Sequence, residues 1–139
     1  MAAAGTRSLT LTINAVDRTA QCSKTVITSG ESDADFVSWA DAAAGGAREY
    51  KLELEFVQDF ATGTLWDLIY SSPGMTFPYL IRPYGNATAT PAQPHFSGNV
   101  TITEPDGDFI GGEADPSVSA RLLAECEWTC TGKPVRVTA

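Results

Sequence analysis

This chain is short of the groups that usually announce a chemistry. It has a single histidine, His95, in 139 residues. His95 stands between Pro94 and Phe96 with Ser97 close by, and no Gly-x-Ser-x-Gly or other nucleophile pattern accompanies it. It reads as a structural side chain where a strand begins. Gly-x-Gly-x-x-Gly and the P-loop are absent too, so the common phosphate cradles are excluded. The three cysteines, Cys22, Cys126 and Cys130, are an odd count, which argues against a disulfide framework. If 126–130 is extended, its end α-carbons lie about 13 Å apart, too far for a mutual disulfide. Small buried hydrophobes is the better reading for these thiols, because a zinc site wants a fourth ligand and Cys-x₂₋₄-Cys on a turn. No apolar run approaches the roughly 20 residues of a membrane helix. The start, Met1-Ala-Ala-Ala-Gly-Thr-Arg7, lacks the apolar stretch of a signal peptide, so synthesis in the cytosol is expected. Basic residues are scarce, with 9 against 17 acidic ones and a net charge of -8. That balance is the reverse of a chain that grips nucleic acid through its phosphates. It suits solubility, or a partner that must not stick.

What the chain does have is alternation. Ser8 to Asn14 sets Leu9, Leu11 and Ile13 against Thr10, Thr12 and Asn14, a half-buried strand. Gln21 to Thr28 is a second candidate. Tyr50 to Phe56 is a third, with Tyr50, Leu52, Leu54 and Phe56 inward and Lys51, Glu53 and Glu55 toward water. Met75 to Arg82 places Phe77, Tyr79 and Ile81 on one face, and Pro78 within it points to an edge or a bulge. Asn99 to Thr103 turns Val100 and Ile102 inward. Glu104-Pro-Asp-Gly-Asp108 is a turn signal. Val118 to Thr131 is the longest strand candidate. Ala120, Leu122, Ala124, Cys126, Trp128 and Cys130 share one face of it, and Ser119, Arg121, Leu123, Glu125, Glu127 and Thr129 the other. One helix interrupts the strands. Thr64 caps it with Asp67 three residues on, Leu65, Leu68 and Ile69 form its apolar stripe, and Pro73-Gly74 ends it. A chain of this length forms one domain, residues 1–139. The expectation is a mainly β fold, a β-sandwich or barrel-like domain with one short flanking α-helix.

Ser29 to Arg48, between the second and third strand candidates, breaks the pattern. It holds Gly30, Gly45, Gly46, the run Ala42-Ala-Ala44, four acids, and the isolated Phe36, Val37 and Trp39. Asp35 to Ala44 suits a short helix, with Asp35 as N-cap and Gly45 as stop. A long, weakly structured segment inside a small domain is usually functional. Aromatics exposed on it would signal a partner. The alternative is that Phe36 and Trp39 fold back onto the core.

No constellation satisfies a catalytic pattern. Glu53/Glu55 and Glu125/Glu127 are carboxylate pairs at i, i+2 on polar strand faces, roughly 7 Å apart. Glycosidase pairs normally come from separate elements across a cleft, and ionised carboxylates normally stay in water. Glu104 to Asp115 is acidic and Gly-rich, which invites calcium. Asp106, Asp108 and Gly111 fit EF-hand positions, but Ile110 and Ser117 do not. Asn86-Ala-Thr88 and Asn99-Val-Thr101 fit the glycosylation pattern, which matters only in a secreted eukaryotic protein. Trp66 and Trp128 fit a helix and a strand core, leaving Trp39 free to bind.

The order of segments carries more. A charged strand at 50–56 precedes Thr62-Gly-Thr-Leu-Trp-Asp-Leu-Ile-Tyr70, then Phe77-Pro-Tyr-Leu-Ile-Arg-Pro-Tyr84, then Pro94-His-Phe-Ser-Gly98. Gly111-Gly112 and Cys126-Glu-Trp-Thr-Cys-Thr-Gly-Lys-Pro134 close the series. From about Tyr50 to Pro134 this resembles the major tail proteins of long-tailed, non-contractile bacteriophages. The resemblance implies a β-sandwich flanked by a helix, assembled as hexameric rings whose inner sheets join into one barrel around a lumen. It implies ring stacking through a long loop between the second and third strands, here 29–48, and through terminal arms; 132–139 is the C-terminal tail of the domain. Phe36, Val37, Trp39 and Asp41 are then the inter-ring contact residues. Lys51, Glu53 and Glu55 are candidates for the lumen face, with Arg121, Glu125 and Glu127 as the competing set. The implied role is structural, not enzymatic, and without cofactor or metal. It places the chain in the virion tail, made in the host bacterial cytoplasm. Its partners are copies of itself, tape measure, tail terminator and distal tail proteins, and passing double-stranded DNA, with no membrane binding. Two other classes compete. A secreted carbohydrate-binding β-sandwich predicts a ligand at Trp39 or Tyr84. A small hydrolase predicts a deep cleft at Glu53/Glu55 or Glu125/Glu127.

Overall fold

The alternating segments become strands of two antiparallel sheets. The computed structural model describes residues 5–31, 36–43 and 48–139, apart from the side chain of Asp41. The strands are β1 (Thr10–Ile13), β2 (Val16–Asp17), β3 (Cys22–Glu31), β4 (Arg48–Val57), β5 (Thr76–Arg82), β6 (His95–Thr101), β7 (Leu123–Thr129) and β8 (Val135–Val137). One sheet has the order β2-β1-β5-β6-β8 and the other β3-β4-β7. The fold is mainly β and sandwich-like, as the alternation implied. The inward residues of both sheets share one core: Leu11, Ile13, Tyr79, Ile81 and Val100 from one, and Leu52, Leu54, Phe56, Ala124, Cys126 and Trp128 from the other. Burying each large apolar side chain contributes about 1.5–3 kcal/mol.

Among the described residues two α-helices lie between the strands, α1 (Trp39–Ala43) and α2 (Leu65–Ser71). α2 buries Leu65, Trp66 and Ile69. Thr64 caps it, its hydroxyl accepting from the Asp67 N–H at 3.3 Å. The Asp67 carboxylate reaches back to the Gly63 N–H at 2.9 Å, one residue beyond the usual capping-box partner. The Leu65 N–H, another donor with no partner inside the helix, bonds the Gln21 side chain at 2.7 Å. The buried Arg18 donates to the Gly63 carbonyl at 2.8 Å. Two residues from a 3-10 turn at Thr19–Gln21 and its flank thus hold the start of α2.

Three expectations change. The strand expected over 118–131 begins only at Leu123. β4 ends at Val57, paired with Leu123, and the Gln58 N–H makes the last bond to the Leu122 carbonyl. Residues before that have no β4 backbone to pair with, so Ala120 and Leu122 are exposed rather than inward. Pro78 lies in β5, which is central between β1 and β6. Its carbonyl faces β1, accepting from the Asn14 N–H at 2.8 Å. Its nitrogen therefore faces the point where β1 has already turned away, and no ladder bond is lost. The extra hairpin strand β2 places the 29–48 segment between the third and fourth strands.

At Cys130 the chain changes sheets. The Cys130 N–H bonds the Tyr50 carbonyl at 2.8 Å, and the Thr131 N–H bonds the Asn99 carbonyl of the other sheet at 3.0 Å. Gly132-Lys-Pro134 then leads into β8, paired with β6.

Candidate functional site: an acidic sheet face and an exposed hairpin tip

The pleat of β3, β4 and β7 turns every second residue away from the core. Three rows cross this outer face: Lys24–Glu55–Glu125, Val26–Glu53–Glu127 and Thr28–Lys51–Thr129. The two carboxylate pairs, which sequence reading set in competition, are therefore one surface. Arg121 is the exception. It lies outside β7, and its guanidinium donates to the Val118 and Ala120 carbonyls at 3.1 and 2.9 Å. It is not part of this face, because the strand stops short of it.

Glu53 opposes Glu127 and Glu55 opposes Glu125. Like charges directly opposite are destabilising, so the face keeps this arrangement at a cost. Lys51 relieves part of it with a salt bridge to Glu127 at 2.9 Å. The Lys51 hydrogen bond, more than its charge, holds the Glu127 carboxyl below its usual range. A general acid needs the opposite shift. The Ser23 hydroxyl donates to the Glu55 carboxylate at 2.7 Å.

The 104–108 turn stands beside this face as a wall. Together they enclose an open trough of about 710 Å³, lined by Glu53, Glu55, Glu104, Asp106, Asp108, Glu125 and Glu127 against the single cation Lys24. The residues of 104–108 signal a turn, but nothing local encodes its place over the sheet. Among the described residues no group of three or more His, Cys, Asp or Glu is placed to hold a metal ion. His95 is buried in the other sheet, with Nε2 3.0 Å from the Asn86 carbonyl oxygen.

β3 and β7 are the outer strands of their sheet. The Thr103 hydroxyl takes the Glu127 carbonyl at 3.2 Å, and the Gln58 side chain takes the Leu123 carbonyl at 2.8 Å. These caps cover parts of the β7 edge with single side chains, not with a strand.

The β3–β4 hairpin carries the segment marked as anomalous. β3 and β4 run on to Glu31 and Arg48, longer than the alternation indicated. Asp35 and Gly45, the expected helix boundaries, lie outside the described residues, as do the rest of 32–35 and 44–47. α1 is a short helix with the Ala42 N–H bonded to the Ser38 carbonyl at 2.9 Å. Phe36, Val37 and Trp39 are 77%, 55% and 93% exposed. Neither aromatic folds back onto the core. Asp41 lies within α1. Tyr84, the other proposed ligand contact, is half-buried.

Burial governs the thiols. It pushes Cys22 up to about 11, with the charge of Arg18 pulling the other way, and it raises Cys126 and Cys130 as well. Tyr79 is raised by burial and by the nearby Cys130. Cys126, Cys130 and Tyr79 lie in the core, and Cys22 packs against it. Among the described residues no helix is long and apolar enough to cross a membrane. A scan against protein-family models and a search of the curated proteins return no match to this chain.

Proposed function

We propose that this chain is a tail-tube subunit of a long-tailed bacteriophage, forming rings that stack into a conduit for DNA. The observation that carries this reading is the three-stranded sheet with an acidic outer face and two outer strands whose outer edges pair with no strand among the described residues. Such edges are an aggregation hazard in a monomer, and neighbouring subunits in a ring remove it. An inward face with more carboxylates than ammonium groups repels phosphates, so DNA slides through without binding. The apolar tip at Phe36, Val37 and Trp39 suits contact with the next ring, where aromatic anchors carry most of the binding energy. Tape measure and tail-end proteins are the further partners this role requires.

Negative-stain electron microscopy of the purified chain, dilute and concentrated, tests the proposal. Hollow rings or tubes are expected. A second reading draws on Trp39, whose exposed ring is also what a sugar-stacking platform needs. Persistent monomers that bind glycans through Trp39 would favour that binding module instead.

A further inference from the structure

The two edges of the three-stranded sheet carry opposite charge. Beside β7 stands the 104–108 wall with Glu104, Asp106 and Asp108, next to Glu125 and Glu127. Beside β3 lies a second hollow of about 270 Å³, lined by Arg7 and by Lys24, which also stands at the β3 side of the trough, among hydroxyl and apolar residues and with no carboxylate. Arg7, Lys24, Glu104, Asp106 and Asp108 are all exposed. None forms a salt bridge with a described residue, even though Lys24 is paired directly with Glu55 across the sheet.

The register makes the two edges match in height. Lys24, Glu55 and Glu125 form one row across β3, β4 and β7. β3 and β7 both run antiparallel to β4, and so parallel to each other. A second copy, rotated about an axis along the strands and set beside the first without a shift, presents its β3 to the first copy's β7. Its Lys24 then arrives level with Glu125 and the acidic wall.

From this we infer that the acidic trough at β7 receives the basic β3 edge of a second copy of this chain, with Lys24 and Arg7 entering beside Glu104, Asp106 and Asp108. The contact is head-to-tail, so repetition generates a ring or a filament and not a closed pair. The side-by-side orientation rests on the tube reading. The charge match and the common row do not. Complementary charge of this kind fixes register and rejects wrong partners. It also predicts that the joining strands run parallel, unlike the strand pairs among the described residues, which are antiparallel.

Charge reversal on each side tests the clasp. Lys24→Glu and Arg7→Glu alter the basic edge, and the double variant Asp106→Lys with Asp108→Lys alters the wall. Arg7 lies outside the sheet, so its variant is informative even where Lys24→Glu strains the row it shares with Glu55. Circular dichroism and thermal melting check that each variant folds. Ring formation is followed by sedimentation velocity and electron microscopy. Each variant is expected to need a roughly tenfold higher concentration than wild type to form rings, with assembly weakened by added salt. An equimolar mixture of Lys24→Glu with the doubly reversed wall is expected to recover assembly, because the copies alternate with matched charges. Folded variants that form rings at the wild-type concentration would overturn the clasp and leave the tube reading standing. Reversals that lose rings without recovery in the mixture would overturn it as well. Wild-type chain that stays monomeric at every concentration overturns both.

Discussion

Single residues decide two local questions. Asn14 and Ala15 form the two-residue link between β1 and β2, with φ of 52° and 65°. Both positive values are those of the turn that matches hairpin twist, which favours Asn-Gly. Ala15 bears the strain of its Cβ there, so Ala15→Gly is expected to raise stability by about 0.5–1 kcal/mol, read from the urea midpoint. An unchanged or lowered midpoint would count against strain at this turn. The hairpin was not legible because Asn-Ala is a weak signal beside the clear alternation of Leu9, Leu11 and Ile13. The thiols give the second prediction. Cys22, Cys126 and Cys130 have folded pKa values above the ordinary 9.0, with Cys22 at about 11. Groups raised on folding contribute stability that is full below the unfolded value and lost as pH rises through the folded one. The urea midpoint is therefore expected to hold to about pH 9 and fall through about pH 11. Tyr79 acts in the same direction.

Elements were legible where their own residues settle them. α2 announced itself through Thr64, Asp67 and the Leu65/Leu68/Ile69 stripe, and β4 through its alternation. The limits of β7 were not legible, because alternation from Ala120 onward cannot say where β4 stops offering a backbone. Nor was the role of Gln58, just past the end of β4. It is buried, and its side chain donates to the Gly111 and Leu123 carbonyls and accepts from the Gly111 N–H at 2.7 Å. One amide thus ties the end of β4 to β7 and to the connection that carries Phe109 against Trp66. Polar residues at strand ends are usually solvated, so sequence gives no sign of this role. Gln58→Ala removes a buried side chain that partners three part-buried backbone groups and is expected to cost about 1–3 kcal/mol, measured by urea unfolding. Faster amide hydrogen exchange at Gly111 would locate the loss. A change within about 0.5 kcal/mol, the level of an ordinary surface site, would mean that water replaces the amide.

At the scale of the whole molecule, the question is whether the exposed tip belongs to folding or to assembly. The order of charged strand, capped helix and Trp strand was readable, and so was the oddity of 29–48. The joining of Glu53/Glu55 with Glu125/Glu127 on one face was not, since pairing between β4 and β7 is a long-range fact. The tip separates the two possibilities cleanly. Trp39 is 93% exposed and contributes no buried area to the subunit core. Trp39→Ala is therefore expected to leave the thermal midpoint and urea midpoint within the small range of a surface change, about 0.5 kcal/mol. A buried aromatic anchor between rings behaves differently, and its truncation typically costs 2 kcal/mol or more, at least about thirtyfold in affinity. The expected result is a subunit of normal stability that still forms single rings, through the sheet edges, but yields short tubes or none. Phe36→Ala is expected to act in the same direction more weakly, since that side chain is less exposed and smaller. Tubes of normal length from Trp39→Ala would remove the tip from the stacking contact while leaving the edge-to-edge ring intact. A collapse in subunit stability would instead place Trp39 in the fold, against its exposure.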